Sequence, residues 1–231
     1  MKLFFDIEST GLPSTKGYNN YYPPVDIDKY EESRIIEIGV MLTDKEGNII
    51  RAYNSIVKPD TFTKLRPVIT DITGITDNDI LNDGKNIKEV FEELKPIFKE
   101  ASCMNSYNMN FDKNVLLSEL YRIHDREFIK IIHNLEYECT MKLSRQILYI
   151  GSYKLEHVYK ELFKEDVEYE APTINKVEIT TNKKSSGNTP NKSRGNEASD
   201  SPKKFIICEK ISSFTKLITS FNMIVKWHEI L

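Results

Sequence analysis

The 231-residue chain is poor in cysteine and in long apolar runs, and each shortage excludes a class of protein. Its three cysteines, Cys103, Cys139 and Cys208, lie far apart and form no Cys-x-x-Cys pair. This pattern argues against a disulfide framework or a zinc site and predicts free, buried thiols. No apolar segment is long enough to span a bilayer, and residues 1–12 lack the regions of a signal peptide. We therefore expect an intracellular, soluble protein without a membrane partner.

An excess of charge of one sign is missing too. The 32 Lys and Arg residues nearly balance the 35 Asp and Glu residues, which gives a net charge of -3. No global basic field indicates a nucleic-acid partner, but a local basic rim is enough for one, so the balance does not exclude it. The length fits one compact domain with room for an appendage.

Two carboxylates interrupt the apolar run at the start of the chain. Residues 2–12 read KLFFDIESTGL, which predicts a buried strand followed by a turn. Asp6 and Glu8 are two residues apart, so they project from the same face of that strand. Such a pair is costly to bury without a counter-charge. Either the strand is a solvated edge, or the carboxylates hold a divalent cation such as Mg²⁺ or Mn²⁺.

A third acid stands at the start of a predicted helix. Asp112 precedes a helical apolar face formed by Val115, Leu116, Leu120 and Ile123. An acid in the first turn ordinarily caps the helix or stabilises its dipole. Asp112 also ends the pattern Asn-x-x-Phe-Asp, which begins at Asn108 and includes Phe111.

Together these stretches resemble the motifs of the DEDD 3′–5′ exonucleases, the proofreading-subunit-like branch of the RNase H-like superfamily. Residues 6–12 are similar to the family's first motif, and residues 108–112 match its second. Residues 151–163 look like the family's Ser-x-x-Leu helix, so the resemblance covers roughly residues 1–171. It implies an α/β, RNase H-like three-layer fold, in which helices flank a mixed central sheet whose first strands are antiparallel.

The resemblance also implies an activity and a site. The protein would hydrolyse phosphodiester bonds at DNA or RNA 3′ ends with two Mg²⁺ or Mn²⁺ ions. Asp6 would bridge both ions, Glu8 would ligate the nucleophile-side ion, and Asp112 would anchor the second. The substrate-binding residues implied by the same motifs are Ser9, Thr10, Gly11, Tyr107, Asn108 and Phe111.

The third motif of the family has no counterpart. In the family the next helix carries His-x-x-x-x-Asp or Tyr-x-x-x-Asp, which supply a general base and the fourth carboxylate. Here residues 168–178 read EYEAPTINKVE. Glu170, Glu178 and Asp200 are acids in the right part of the chain, without support from a motif. Three interpretations stay open: an exonuclease, with or without impairment by the loss; an inactive nucleic-acid-binding or protein-interaction module; and an inert product whose residues 172–231 replace the ancestral end.

Three further segments have readable patterns. Residues 34–42 and 49–57 predict an antiparallel β-hairpin. Residues 87–98 predict an amphipathic helix that Pro96 should kink or end. Residues 13–33 predict a long polar connection whose tyrosines either pack against the domain or stack on bases.

The end of the chain divides into two parts. We expect residues 172–204 to form a polar, disordered linker, because residues 180–204 contain no large apolar side chain. Residues 205–231 regain apolar side chains at helical spacing, which predicts a helical segment that packs on the core or on a protein partner.

Overall fold

The computed structural model describes residues 1–164, which form a mixed sheet flanked by helices. The strands are β1 (Lys2–Ser9), β2 (Thr15–Gly17), β3 (Asn20–Tyr21), β4 (Ile35–Thr43), β5 (Ile49–Lys58), β6 (Lys85–Asn86), β7 (Cys103–Ser106) and β8 (Glu136–Cys139). Six of them form the main sheet in the order β6-β5-β4-β1-β7-β8, and β2 pairs with β3 in a separate hairpin. The predicted α/β class with a mixed sheet and antiparallel first strands is confirmed.

The helices are α1 (Pro67–Thr73), α2 (Asp77–Asp83), α3 (Ile87–Glu100), α4 (Met109–Arg122), α5 (Arg126–Asn134), α6 (Thr140–Ile147) and α7 (Leu155–Phe163). Local chemistry sets several of their ends. A capping box between Thr76 and Asp79 starts α2, and the side chain of Asp125 accepts a hydrogen bond from the Phe128 amide to start α5. Gly74 ends α1 at a φ of 73°, a backbone conformation that favours glycine. Within residues 1–164, no helix combines the length and the apolar character that a membrane crossing requires.

Strand β1 lies at the centre of the main sheet. It pairs antiparallel with β4 on one side and parallel with β7 on the other, and the predicted β4–β5 hairpin is confirmed. Gly39 lies directly across from Asp6, and Glu37 lies across from Glu8. Glu37 is fully buried and accepts a hydrogen bond from Asn54 Nδ2 at 3.1 Å. The sheet therefore holds a third buried acid, beside the predicted carboxylate pair.

The main core explains why β1 is held firmly. Leu3, Phe5 and Ile7 alternate along β1 and join a cluster with apolar side chains of α3, α4 and α5. Phe98 lies 6.3 Å from Phe5 and 5.0 Å from Phe128 between ring centroids. Each such buried side chain contributes roughly 1.5–3 kcal/mol. Because neighbours on a strand alternate, Asp6 and Glu8 are presented from the opposite face of β1.

Two expectations from the sequence are corrected. Pro96 does not end α3, which continues to Glu100, and the alternative of a kink at Pro96 stays a prediction. The proline costs about 3 kcal/mol, but Ile97 and Phe98 beyond it are buried and contribute roughly 1.5–3 kcal/mol each, which offsets the loss. Residues 13–33 are not only a connection, because they contain β2, β3 and a 3₁₀ turn at Ile27–Tyr30.

The cysteine prediction is confirmed where it is tested. Cys103 and Cys139 are free and buried. Cys208, the linker predicted at 172–204 and the helical segment predicted at 205–231 lie outside the described residues. The domain boundaries placed in that part of the chain stay predictions.

Candidate active site

An open cleft of about 570 Å³ lies where the carboxyl end of β1 meets the first turn of α4. Asp6 and Glu8 reach it from β1, and Asp112 reaches it from α4. The three side chains are 8%, 6% and 3% exposed, respectively. Acids that are distant in the sequence are thus brought into one buried, electronegative cleft. Their catalytic role stays a prediction.

The path of the chain explains how Asp112 arrives there. Strand β7 runs parallel to β1, so the carboxyl ends of both strands lie at the same edge of the sheet. The chain leaves β7 at Ser106 and enters α4 at Met109. Asp112 therefore sits in the first turn of α4, where the positive end of the helix dipole favours a negative charge.

A buried ion pair fixes α4 against the sheet. Arg34 donates two hydrogen bonds to the Glu119 carboxylate, at 2.6 Å from Nε and 3.2 Å from Nη2. The Ile35 amide, at the start of β4, also donates to Glu119, at 3.3 Å. Glu119 lies about two helical turns beyond Asp112. The pair therefore sets the position of the helix that carries the third acid.

The turn after β1 contributes to the cleft unevenly. Ser9 and Gly11 line the cleft, as expected, whereas Thr10 does not. The Thr10 hydroxyl donates to the Glu32 carbonyl and accepts from the Arg34 amide, both at 2.9 Å. Its side chain therefore fastens the turn.

Gly11 is required by close packing. A Cβ at this position would lie 2.1 Å from Arg66 Nη2 and 2.9 Å from the Glu32 carbonyl oxygen. Arg66 also lines the cleft and donates from Nη2 to the Thr10 carbonyl at 3.2 Å. The missing side chain of Gly11 makes room for a guanidinium group at the edge of the acidic cleft.

Tyr107, Asn108 and Phe111, which the motifs implied as substrate-binding residues, all line the cleft. The Tyr107 hydroxyl donates to the Tyr153 carbonyl at 2.6 Å. Burial raises the pKa of Tyr107, and the nearby Glu156 carboxylate adds to the rise. The hydroxyl therefore stays protonated at neutral pH and keeps its hydrogen bond to the Tyr153 carbonyl.

Sequence reasoning missed an apolar rim on the cleft. Leu12, Val68 and Ile72 line it although they are 73%, 52% and 66% exposed. Large apolar side chains gathered at a surface mark an interaction site. The available signal was the sequence of α1, PVITDIT, which is apolar beyond the buried Ile69.

It also missed charged residues at the start of α7. Lys154 and Glu156 line the cleft, so Glu156 is a fourth acid there, and the motifs gave no sign of it. None of the cleft residues found in the described part of the chain is a histidine, and His157 is exposed. Glu170, Glu178 and Asp200, the acids considered from the sequence as a fourth ligand, lie outside the described residues.

The donor set of the cleft fits a hard divalent cation. Asp6, Glu8 and Asp112 offer carboxylate oxygens, which Mg²⁺ and Mn²⁺ prefer over nitrogen or sulfur. Within residues 1–164, however, no three His, Cys, Asp or Glu side chains already stand in the arrangement of a metal site. This part of the chain therefore defines the chemistry of the donors but not the number of ions.

Comparison with known proteins decides the family. The RNase_T exonuclease model matches residues 3–168, which is most of the chain. This chain belongs to the exonuclease family. The match includes both regions that supply the three acids, and divalent metals are typical of exonucleases of this kind.

One relative of this exonuclease-family protein is DNA polymerase III subunit epsilon of Treponema pallidum (strain Nichols), 31% identical over 116 residues. The match covers 50% of this chain and 44% of the relative, so the chain spans less than half of that protein's length.

Solved structures of exonuclease I share the fold. The zinc-bound complex of E. coli exonuclease I with single-stranded DNA has a TM-score of 0.58 at 17% identity, over 99% of this chain and 41% of that one. The E. coli enzyme in complex with a dT13 oligonucleotide has a TM-score of 0.51 at 20% identity, over 69% and 35%. The fold is therefore the RNase H-like fold that the motifs implied.

Proposed function

We propose that this exonuclease-family protein removes nucleotides from the 3′ end of a nucleic-acid strand by hydrolysis of phosphodiester bonds. The observation that carries the proposal is the convergence of Asp6, Glu8 and Asp112, all buried, on one cleft. The family match and the fold of exonuclease I support it. Intracellular location and a protein partner for residues 205–231 stay predictions.

Asp6, Glu8 and Asp112 would hold the divalent ions, Mg²⁺ or Mn²⁺. When bound, such ions lower the pKa of an attacking water and stabilise charge on the leaving oxygen. The chain's own contribution is a cleft in which the acids are buried and are held on two packed elements, β1 and α4.

The remaining cleft residues are suited to hold the strand end. The apolar rim of Leu12, Val68 and Ile72 offers a surface on which a terminal base packs. Arg66 and Lys154 place positive charge at the edge of the same cleft, where they attract phosphate. E. coli exonuclease I was solved in complex with single-stranded DNA and with a dT13 oligonucleotide, which supports a single-stranded substrate here.

A second candidate function is a binding module that kept the fold and lost the chemistry. It is favoured by the absence of the family's third motif from residues 168–178 and by the lack of a histidine among the described cleft residues. Loss of a general base lowers a rate by about 10²–10⁴-fold. Both candidates predict that the protein binds a nucleic-acid strand, but only the first predicts that it cleaves the strand.

A labelled strand separates them. A single-stranded oligonucleotide carries a label at its 3′ end or, in a parallel reaction, at its 5′ end, and is incubated with the full chain and Mg²⁺ or Mn²⁺. We expect early release of the 3′ label as a mononucleotide, and progressively shorter products from the 5′-labelled strand. Chelation with EDTA should stop both.

The matched variant is Asp6→Asn with Glu8→Gln, which removes the charges and nearly preserves the volumes. We expect its rate to fall at least about 10³-fold, because metal-ion stabilisation is worth several kcal/mol and each 1.36 kcal/mol is a factor of ten. Lys45→Gln, an exposed change in the β4–β5 turn, is the control. If the double variant degrades the strand as fast as the wild type, the assignment of the site is overturned. If the wild type binds the strand but does not cleave it with metal present, the second candidate function, a binding module, is the one supported.

A further inference from the structure

A second concavity, of about 210 Å³, adjoins the cleft around the first turn of α4. We call it the cationic groove and define it by its lining residues, which are Met109, Asn110, Lys113, Tyr137, Cys139 and Lys142. Successive residues of an α-helix point about 100° apart. Asn108 and Asp112 therefore face the cleft, while Met109 and Lys113 face the groove.

The charge of the groove is not balanced by acids. Within residues 1–164, neither Lys113 nor Lys142 forms an ion pair. The acids of β8, Glu136 and Glu138, are directed elsewhere, because side chains alternate along a strand and Tyr137 and Cys139 are the β8 residues that line the groove. Glu138 pairs with Lys2 at 3.7 Å instead. Two lysine charges are therefore available to an anion.

An aromatic ring accompanies these charges. The Lys113 Nζ lies 3.6 Å from the centroid of the Tyr137 ring, and Tyr137 is 58% exposed on the edge strand β8. A tyrosine with this exposure offers its apolar ring to a sugar or a base. The ammonium and the ring are close enough to contact one nucleotide together.

The same combination continues along α6. Arg145 follows Lys142 by three residues, so both lie on one side of the helix. The Arg145 guanidinium lies 5.3 Å from the centroid of the Tyr153 ring and donates to the Tyr18 hydroxyl at 3.5 Å. Tyr18 is 85% exposed. Cations and tyrosines therefore alternate from the groove along one surface.

Tyr107 forms the boundary between groove and cleft. Its side chain lines the cleft, and its carbonyl accepts a hydrogen bond from the Met141 amide at 3.0 Å, next to Lys142. On the other side, Asn110 lines the groove and donates to the Asn19 carbonyl at 2.6 Å. The cleft and the groove therefore lie on two sides of the first turn of α4.

The occupant follows from size and chemistry. The groove is smaller than the roughly 300–1,000 Å³ of small-molecule sites, so it is suited to part of a polymer. Unpaired lysines interleaved with exposed aromatic rings are the combination that binds single-stranded nucleic acid. We propose that the cationic groove binds the sugar–phosphate chain of a single-stranded nucleic acid near the 3′ end that occupies the cleft. The position of that 3′ end rests on the proposed function.

Binding of a fluorescent dT12 oligonucleotide to the full chain tests this, by anisotropy in EDTA over a range of salt. The variant is Lys113→Gln with Lys142→Gln, and the matched control is Lys45→Gln with Lys130→Gln, two exposed lysines away from the groove. We expect the groove variant to bind roughly tenfold more weakly or worse at 0.1 M salt, and its salt slope to fall by about 1.4, because each phosphate contact on a single strand contributes about 0.7. Tyr137→Ala should weaken binding at least about fivefold.

Several results would overturn the inference. One is that the groove variant keeps the affinity and the salt slope of the wild type, and another is that the control variant loses as much dT12 affinity as the groove variant. The inference also fails if the wild type does not bind dT12, or if it binds a polyglutamate peptide in place of dT12 in a way that depends on Lys113 and Lys142. Cleavage of the 3′-labelled strand is scored separately. If binding depends on the two lysines but no cleavage occurs, the proposed hydrolysis is overturned and the proposed role of the groove stands. If cleavage occurs but binding does not depend on the lysines, the proposed hydrolysis stands and the role of the groove is overturned.

Discussion

The cleft and the cationic groove share the first turn of α4 but differ in almost every property. The cleft presents buried acids, whereas the groove presents lysines and an exposed tyrosine. Asp112 and Lys113 are neighbours in the sequence and face one concavity each. One helical turn therefore separates a surface suited to hold cations from a surface suited to hold phosphates.

The contrast extends to how each surface is supported. The acids are carried by β1, which is fixed by the main core, and by α4, which is fixed by the Arg34–Glu119 pair. The lysines of the groove are held by no ion pair in residues 1–164. The proposed hydrolysis, which requires atoms at defined positions, would thus take place on the firmly held side, and the proposed sequence-independent attraction of phosphates would involve the side whose lysines form no ion pair in residues 1–164.

The largest effect on activity should come from Asp112→Asn, which changes the cleft and not the cationic groove. We expect hydrolysis of a labelled strand to fall at least about 10³-fold, since a charge that stabilises the metal ions is lost. Binding of dT12 in EDTA should be equal or tighter, because a negative charge leaves the neighbourhood of the phosphates. Retention of more than a tenth of the activity, or weaker binding, would contradict the division between the two surfaces.

Arg34→Met should disturb the cleft and the cationic groove together, because it removes the ion pair that holds α4 against the sheet. Removal of one partner of a buried ion pair costs about 3–5 kcal/mol in free energy of unfolding. Arg51→Met is the matched control, since the Arg51–Glu100 pair has a distance of 2.8 Å but side chains 46% and 35% exposed. We expect a change below about 1 kcal/mol there. Urea denaturation measures both variants, and similar losses in the two would show that burial of Arg34 has no special importance.

Gly11→Ala should act on the cleft alone. The added methyl group meets the Arg66 guanidinium and the Glu32 carbonyl, and overpacking of this kind costs about 1–3 kcal/mol. Gly151→Ala is the control, because a Cβ there has no neighbour within 4 Å, and its effect should stay within about 0.5 kcal/mol. The factor by which Lys113→Gln with Lys142→Gln weakens dT12 binding should be the same in the Gly11 variant as in the wild type, and a smaller factor would mean that the turn after β1 also shapes the groove.

The smallest effect should come from Tyr107→Phe, at the boundary. Loss of the hydrogen bond to the Tyr153 carbonyl lowers the free energy of unfolding by about 1 kcal/mol. Burial raises the pKa of Tyr107 above its ordinary value of 10.0, so the hydroxyl remains protonated below pH 10 in the wild type. The pH–rate profile between pH 6 and pH 10 should therefore keep its shape in the variant. A missing alkaline limb would show that Tyr107 ionises in the active protein.

Much of the cleft was predictable because its signals are local. Asp6 and Glu8 interrupt one apolar strand, and Asp112 stands within a five-residue pattern, so a few adjacent side chains defined each element and its face. The β4–β5 hairpin followed from two apolar runs and the turn between them.

The rest was not predictable because it depends on neighbours across the fold. Lys113, Tyr137 and Lys142 meet only when α4, β8 and α6 pack together, and periodicity does not say which elements share a surface. Glu156 enters the cleft through the position of α7. The sequence did not decide whether α3 ends at Pro96, because the local backbone cost was weighed without the burial of Ile97 and Phe98.

The two hydrogen bonds between Thr10 and Arg34 affect which insertions and deletions this fold can accept. The Thr10 amide donates to the Arg34 carbonyl, and the Arg34 amide donates to the Thr10 hydroxyl, both at 2.9 Å. Residues 11–33 therefore leave and re-enter the scaffold at one point, and doubling the length of such a loop costs only about 0.6 kcal/mol of closure entropy. Insertions or deletions in this excursion can reshape the contacts around Tyr18 while the register of the carboxylates on β1 is inherited unchanged.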